Sequence, residues 1–262
     1  MSRENYIKLS FHIVKSMERV ATGINGLDRL IDGGLPKGRT YLLTGSCGTG
    51  KTLFSLEYIY NGAKQYSEPG IFVTIDATPK TIREDALAIG MDIKKLEDKG
   101  LIRIIDASVA RIGIPSEEEY AMPVTGFDLD KLLLETMRAT KKIGAKRVVI
   151  DSTPALGLTF QNSEDVRKAV LKINYVLSQS GATSMIISEI AEGSKALSKY
   201  GVEEYVVDGV IVLHYMEASA TANRLLHIRK MRATKHSEDL HPLEISDSGI
   251  KIYKIEEFRK KH

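Results

Sequence analysis

Apolar positions change rhythm regularly along the chain. Short apolar runs bounded by Gly, Pro or Asp alternate with longer stretches whose apolar residues recur every three or four positions. RTYLLTG (39–45) is a run of the first kind, and TLFSLEYIYNGAK (52–64) follows it with Leu53, Leu56, Ile59 and Tyr60 on one helical side. GIFVTID (70–76) predicts a second strand, and PKTIREDALAIG (79–90) a helix opened by Pro and closed by Gly. LIRIIDA (101–107), KRVVIDS (146–152) and ATSMIISE (182–189) predict three more strands, separated by amphipathic helices over 127–144 and 163–181. Later in the chain, 208–216, 223–231, 241–247 and 249–255 are strand-like, with turn residues and no helix-length gaps between them. They are expected as largely antiparallel additions to the sheet edge. The whole pattern predicts an α/β fold: a mostly parallel central sheet, helices on both faces, and antiparallel strands at the C-terminal edge.

Composition adds limits to this picture. The 262 residues fit one large domain, with 43% apolar residues to fill its core and 27% charged residues to solvate its surface. A net charge of +3 makes the whole molecule a weak electrostatic partner for nucleic acid or an anionic membrane. The single cysteine, Cys47, excludes an internal disulfide and points to a reducing cytoplasm. Charged residues interrupt the apolar positions near the N-terminus, so no signal peptide is expected, and no run is long enough to span a membrane. Few Gln, no Trp and many Lys and Glu lean toward a thermophile. The acidic run Ser116, Glu117, Glu118, Glu119 reads as a solvated loop within 108–126. His12, His214, His227, His241 and His262 show no metal-ligand spacing, so no zinc site is expected.

GSCGTGKT, from Gly45 to Thr52, matches G-x-x-x-x-G-K-[ST] in full, between a predicted strand and a predicted helix. Gly45, Gly48 and Gly50 let the backbone curl so that successive N–H groups point into one cavity. The helix that follows adds its positive end. In such a loop Lys51 reaches the β- and γ-phosphates and the Thr52 hydroxyl ligates Mg²⁺. Ser46, Cys47, Thr49 and Leu53 complete the candidate nucleotide contacts, Cys47 as a small filler. RVVID ends in Asp151, and a carboxylate there can hold the same Mg²⁺ directly or through water. Many P-loop ATPases follow this Asp with a catalytic Glu, where this chain has Ser152. The water-activating group must then come from elsewhere. Asp76, ending the second strand, is best placed, because parallel strands present their C-terminal ends to one crevice. Glu189, ending the fifth strand, faces that crevice too, as a γ-phosphate sensor or the partner of a base.

The segments 23–63 (GINGLDRLIDGG… through the phosphate loop), EPGIFVTIDATP (68–79), GFDLDKLL (126–133), RVVIDS (147–152), YGVEEYVVDGVIVL (200–213), IRKMRATKHS (228–237) and LEISDSGIKIY (243–253) occur in this order. Together they resemble the RecA superfamily and, within it, the KaiC-like ATPases, in an archaeal, single-module form. The resemblance covers roughly residues 18 to 255. It implies an ATPase domain over 18–255, between an N-terminal extension (1–17) and a tail (256–262). It also implies a homo-oligomeric ring, commonly a hexamer, with ATP bound between neighbours. Lys230, Arg232, Thr234 and His236 match the segment that family members extend toward the neighbour's phosphates or ribose, with Arg232 acting like an arginine finger. Residues spaced by two on a strand share one face, and these four are expected to do so. One departure stands out. Clock members of the family end the second strand in two adjacent glutamates, where this chain has Asp76 and Ala77, and RecA-like recombinases carry a Glu where it has Thr78. Asp76 is shorter than Glu by one carbon–carbon bond, roughly 1.5 Å, and misplacing a catalytic group by about 1 Å can cost on the order of a hundredfold.

The expectation is an ATP- and Mg²⁺-binding protein that hydrolyses slowly, with Asp76 as base and Lys51 and Arg232 as catalytic cations. It would serve as a nucleotide-dependent assembly or signalling switch with an unidentified protein partner. The alternatives are a non-hydrolysing ATP scaffold, a recombinase-like binder of single-stranded DNA, and an autokinase using Ser152, Thr153 or Ser163. Nucleic acid is disfavoured, because no basic groove with interleaved aromatics is evident. The alternating YIKLSFHIV (6–14) can add a strand to a neighbour or pack on its own domain.

Overall fold

The computed structural model describes residues 17–108, 110, 113–124, 126–160, 162–216 and 224–261. The N-terminal alternating stretch at 6–14 lies outside these residues. Two short strands, β1 (Arg19–Val20) and β2 (Leu35–Pro36), form a small antiparallel ribbon. The main elements then follow in order: β3 (Thr40–Gly45), α1 (Lys51–Tyr66), β4 (Gly70–Thr74), α2 (Pro79–Ala88), α3 (Ile93–Asp98), β5 (Ile102–Asp106), α4 (Leu129–Ile143) and β6 (Arg147–Asp151). A 3₁₀ stretch (Thr153–Leu158) leads to α5 (Ser163–Gln179), β7 (Thr183–Ile187) and α6 (Glu203–Val206). The chain continues with β8 (Gly209–Tyr215), β9 (Arg224–Met231), β10 (Leu240–Ser246), β11 (Gly249–Ile252) and α7 (Ile255–Lys261).

One nine-stranded sheet has the order β11-β10-β9-β8-β3-β7-β6-β4-β5. The six strands from β8 to β5 are parallel, and β9, β10 and β11 add antiparallel at the other edge. This is the expected fold class, with one correction. β8 was expected among the antiparallel additions, yet it pairs parallel with β3, Gly45 opposite Leu213. The stretch between β7 and β8 is therefore a crossover, although its only helix, α6, is too short to show a period.

Strands buried on both faces explain the continuous apolar runs. Along β3, Tyr41 and Leu43 enter the core layer beneath α1, while Leu42 enters the opposite layer with α4 and α5. The helix ends follow local chemistry. Asp128 accepts the N–H groups of Asp130 and Lys131 to start α4, and Gly144, at φ 64°, ends it. Thr78 caps α2 ahead of Pro79. Gly62 stands inside α1 because a Cβ there would lie 2.3 Å from Nε of Arg147. That guanidinium, fully buried, donates to Glu68 and to the carbonyls of Ala21, Thr22 and Tyr58. Such complete pairing is what a buried cation requires. The acidic run is not simply solvated either. Glu118 forms a two-pronged pair with Arg83 (2.6 and 2.9 Å), which also grips Glu97.

Candidate active site

The phosphate loop connects β3 to α1, at the C-terminal ends of the parallel strands. Its glycines are required by space and backbone. A Cβ on Gly45 would meet the Leu213 carbonyl oxygen at 2.3 Å, and Gly50 holds φ 95° beneath the tip of Ile245. Gly48, at φ 73°, has open space around it. The Lys51 ammonium donates to the carbonyls of Gly45 (3.0 Å) and Ser46 (2.8 Å), so it spans the mouth of the loop. Burial holds it below the usual lysine range, while the carboxylates of Glu189 and Asp151 pull the other way. Thr49 is buried, its hydroxyl bonded to the Ser46 carbonyl at 2.9 Å. Cys47 is exposed, and Leu53 packs partly buried against the core.

Three of the predicted carboxylates converge near this loop. The Thr52 hydroxyl donates to Asp151 Oδ2 at 2.8 Å. Burial pushes Asp151 up to about 6; the Thr52 hydrogen bond opposes the rise, and the charge of Asp76 adds to it. Asp76 lies just past β4, which pairs with β6 so that Thr74 stands opposite Asp151. The exposed Asp76 carboxylate accepts the Ser152 hydroxyl at 2.6 Å. Glu189 is exposed past the end of β7, and its charge acts on both Lys51 and Asp151. The set fits a hard cation. Thr52 and Asp151 offer adjacent oxygen ligands, and Asp151 is a carboxylate held out of water with no cation bonded to it among the described residues, beside the Lys51 ammonium at the loop mouth.

The basic segment lies elsewhere. The expectation that Lys230, Arg232, Thr234 and His236 share one strand face is corrected: β9 ends at Met231, Arg232 enters a turn, and Ala233 takes φ 54°. Lys230 Nζ donates to the carbonyls of Glu204 (2.9 Å) and Val207 (2.6 Å). Arg232 is exposed, 3.8 Å from Asp208, which also lies 3.4 Å from Arg39. Thr234 accepts from Arg19 at 3.2 Å, and His236 Nδ1 is 2.9 Å from the Ser237 carbonyl. Met231 pairs with Gly209, which pairs with Tyr41, four residues before Gly45. At about 3.3 Å per residue, these cations begin roughly 13 Å from their own phosphate loop, at the opposite end of the strands.

Sequence reading missed two neighbours of the loop. Arg224, starting β9, donates from Nε to the Gly48 carbonyl at 3.2 Å, and Ile245 of β10 packs on Gly50. Neither carries a local signal, because only sheet pairing brings them there.

The complete phosphate loop, with Asp151 ending β6 two strands away in the same parallel sheet, defines a RecA-like P-loop ATPase fold. A family model described as "ATPase: KaiC" matches residues 20–257, and the chain belongs to that family. It is 38% identical to the circadian clock oscillator protein KaiC of Synechococcus elongatus over 92% of its own length and 45% of that protein. The chain thus spans less than half of the cyanobacterial clock proteins it matches. A UPF0273 protein of Pyrococcus horikoshii is 37% identical over 90% of this chain and 94% of its own length. The crystal structure of a KaiC-like protein from the same archaeon superposes with a TM-score of 0.77 at 39% identity, covering 91% of this chain and 100% of that one. No helix of the described residues is long and apolar enough to cross a membrane.

Proposed function

We propose that the protein binds ATP with Mg²⁺ in the loop Gly45–Leu53 and hydrolyses it slowly at the interfaces of a homo-oligomeric, hexameric ring in the cytoplasm. There it acts as a nucleotide-dependent assembly or signalling switch for a protein partner. The observation that carries this reading is the convergence of Lys51, the Thr52–Asp151 pair and Asp76 on one crevice. Loop N–H groups and Lys51 would hold the phosphates, and Thr52 and Asp151 would hold Mg²⁺. When bound, Mg²⁺ would neutralise phosphate charge. Asp76 takes the proton of the attacking water. Its carboxylate is short and one oxygen already accepts from Ser152, so the base is weakly presented and turnover is slow. Lys230, Arg232, Thr234 and His236 serve the neighbour's nucleotide, a reading supported by their distance from their own loop.

The test is ATP binding and phosphate release by the wild type beside Lys51→Ala. Loss of both, together with loss of ATP-dependent assembly, is expected in the variant. Wild-type-like assembly on ATP by Lys51→Ala would break the link between this loop and the ring.

A further inference from the structure

Glu203 has no exposed surface, so its carboxyl group needs donors within the fold. They come from three separate segments. The Ser188 hydroxyl donates to Oε1 at 2.9 Å, and the Thr153 hydroxyl approaches the same oxygen at 3.5 Å. Oε2 faces the Ser198 hydroxyl at 2.7 Å and the N–H groups of Tyr200 and Val202, both at 3.3 Å. Ser188 also accepts the N–H of Lys199 at 3.1 Å. Two of these contacts touch the walls of the crevice. Thr153 follows Ser152, which donates to Asp76. Ser188 precedes Glu189, whose charge acts on Lys51 and Asp151.

The other end of the same short stretch holds the distant cations. The Glu204 and Val207 carbonyls anchor the Lys230 ammonium, and Asp208 sits between Arg232 and Arg39. Residues 203–208 therefore bridge the crevice walls and the basic segment, with Glu203 as the attachment on the crevice side.

We propose that Glu203 is a positioning residue that couples the nucleotide in a subunit's own crevice to the setting of Lys230 and Arg232, which that subunit offers to its neighbour. This rests on the reading of the basic segment as a contact in trans. A ligand that draws Asp76 or Glu189 toward the water or cation it brings moves Ser152–Thr153 or Ser188 with it. Glu203 transmits the shift to α6, a single turn of helix. Packed hydrogen-bonded elements of this kind shift between discrete arrangements rather than deform smoothly. Occupancy of one site then biases the next around the ring.

The experiment measures the ATP concentration for half-maximal assembly, by light scattering on the full chain. It compares wild type, Glu203→Gln, the cation-free background Lys230→Met/Arg232→Ala, and that background carrying Glu203→Gln. Binding of a fluorescent ATP analogue to dilute chains is measured in parallel. Glu203→Gln is expected to raise the half-assembly concentration about tenfold, within the usual range of coupling effects, and to change analogue affinity less than about threefold. On the cation-free background it is expected to add less than about twofold, because the residues it acts through are gone. An equal loss on both backgrounds, or no loss on either, overturns the proposal. If Glu203→Gln does not fold, Ser188→Ala, which removes one donor, carries the same cycle. Assembly that ignores ATP in the wild type would overturn the switch itself and this inference with it. ATP-dependent assembly that ignores Glu203→Gln overturns this inference alone.

Discussion

Asp151 and Glu57 are both carboxyl groups that burial pushes upward, and they serve opposite ends. Asp151, near 6, stands beside Thr52 where a cation can meet it, so its destabilising environment is part of a site. Glu57, near 7, is buried on α1, accepts the Ile250 N–H at 2.7 Å and, among the described residues, has no ion-pair partner to offset its charge. Its folded-state value lies above its ordinary 4.5, so its favourable contribution is complete below pH 4.5 and is lost as pH rises through about 7. Glu57→Gln should therefore stabilise the protein at pH 8 by an amount on the order of 2–3 kcal/mol, a rise of several degrees in Tm, and change little at pH 4.5. Equal effects at both pH values, read by thermal melts, would refute the assignment. At this scale the sequence was most legible where chemistry is local. The loop Gly45 through Thr52, and the placing of Asp76 and Asp151 beside it, were readable because each depends on a few adjacent residues at the end of a strand. Ser152 donating to Asp76 and Arg224 reaching Gly48 were not, because 76 and 176 residues separate the partners.

Elements long enough to complete a period were readable almost to their ends. The stretch 52–64 became Lys51–Tyr66, and 163–181 became Ser163–Gln179. Shorter ones were not: α3, α6, the β1–β2 ribbon and the 3₁₀ stretch each hold too few residues to show a rhythm. The direction of β8 was hidden for the same reason, since the crossover before it lacks a long helix. The basic segment fails as a strand because alternation in sequence says nothing of φ, and Ala233 is left-handed. The hairpin of β10 and β11 gains importance only in three dimensions. Ile245 covers Gly50, and the Ile250 N–H meets Glu57, so the hairpin clamps the loop and the helix behind it.

At the scale of the whole molecule, one chain keeps its phosphate loop and its basic segment at opposite ends of the strands. On the proposed reading, a second copy completes the site. Arg232→Ala should cut turnover by about a hundredfold or more, the scale of losing one donor that stabilises developing charge, with a smaller effect on ATP affinity. Mixing it with Lys51→Ala should restore part of the activity, because some interfaces then pair an intact loop with an intact arginine. No recovery at any mixing ratio would contradict a site shared between subunits. The central claim, slow ATP hydrolysis with Asp76 as base, is tested most directly by phosphate release from ATP in wild type and Asp76→Asn. The account predicts slow release by the wild type and none above background in Asp76→Asn, with ATP still bound. Equal release by both proteins would contradict it.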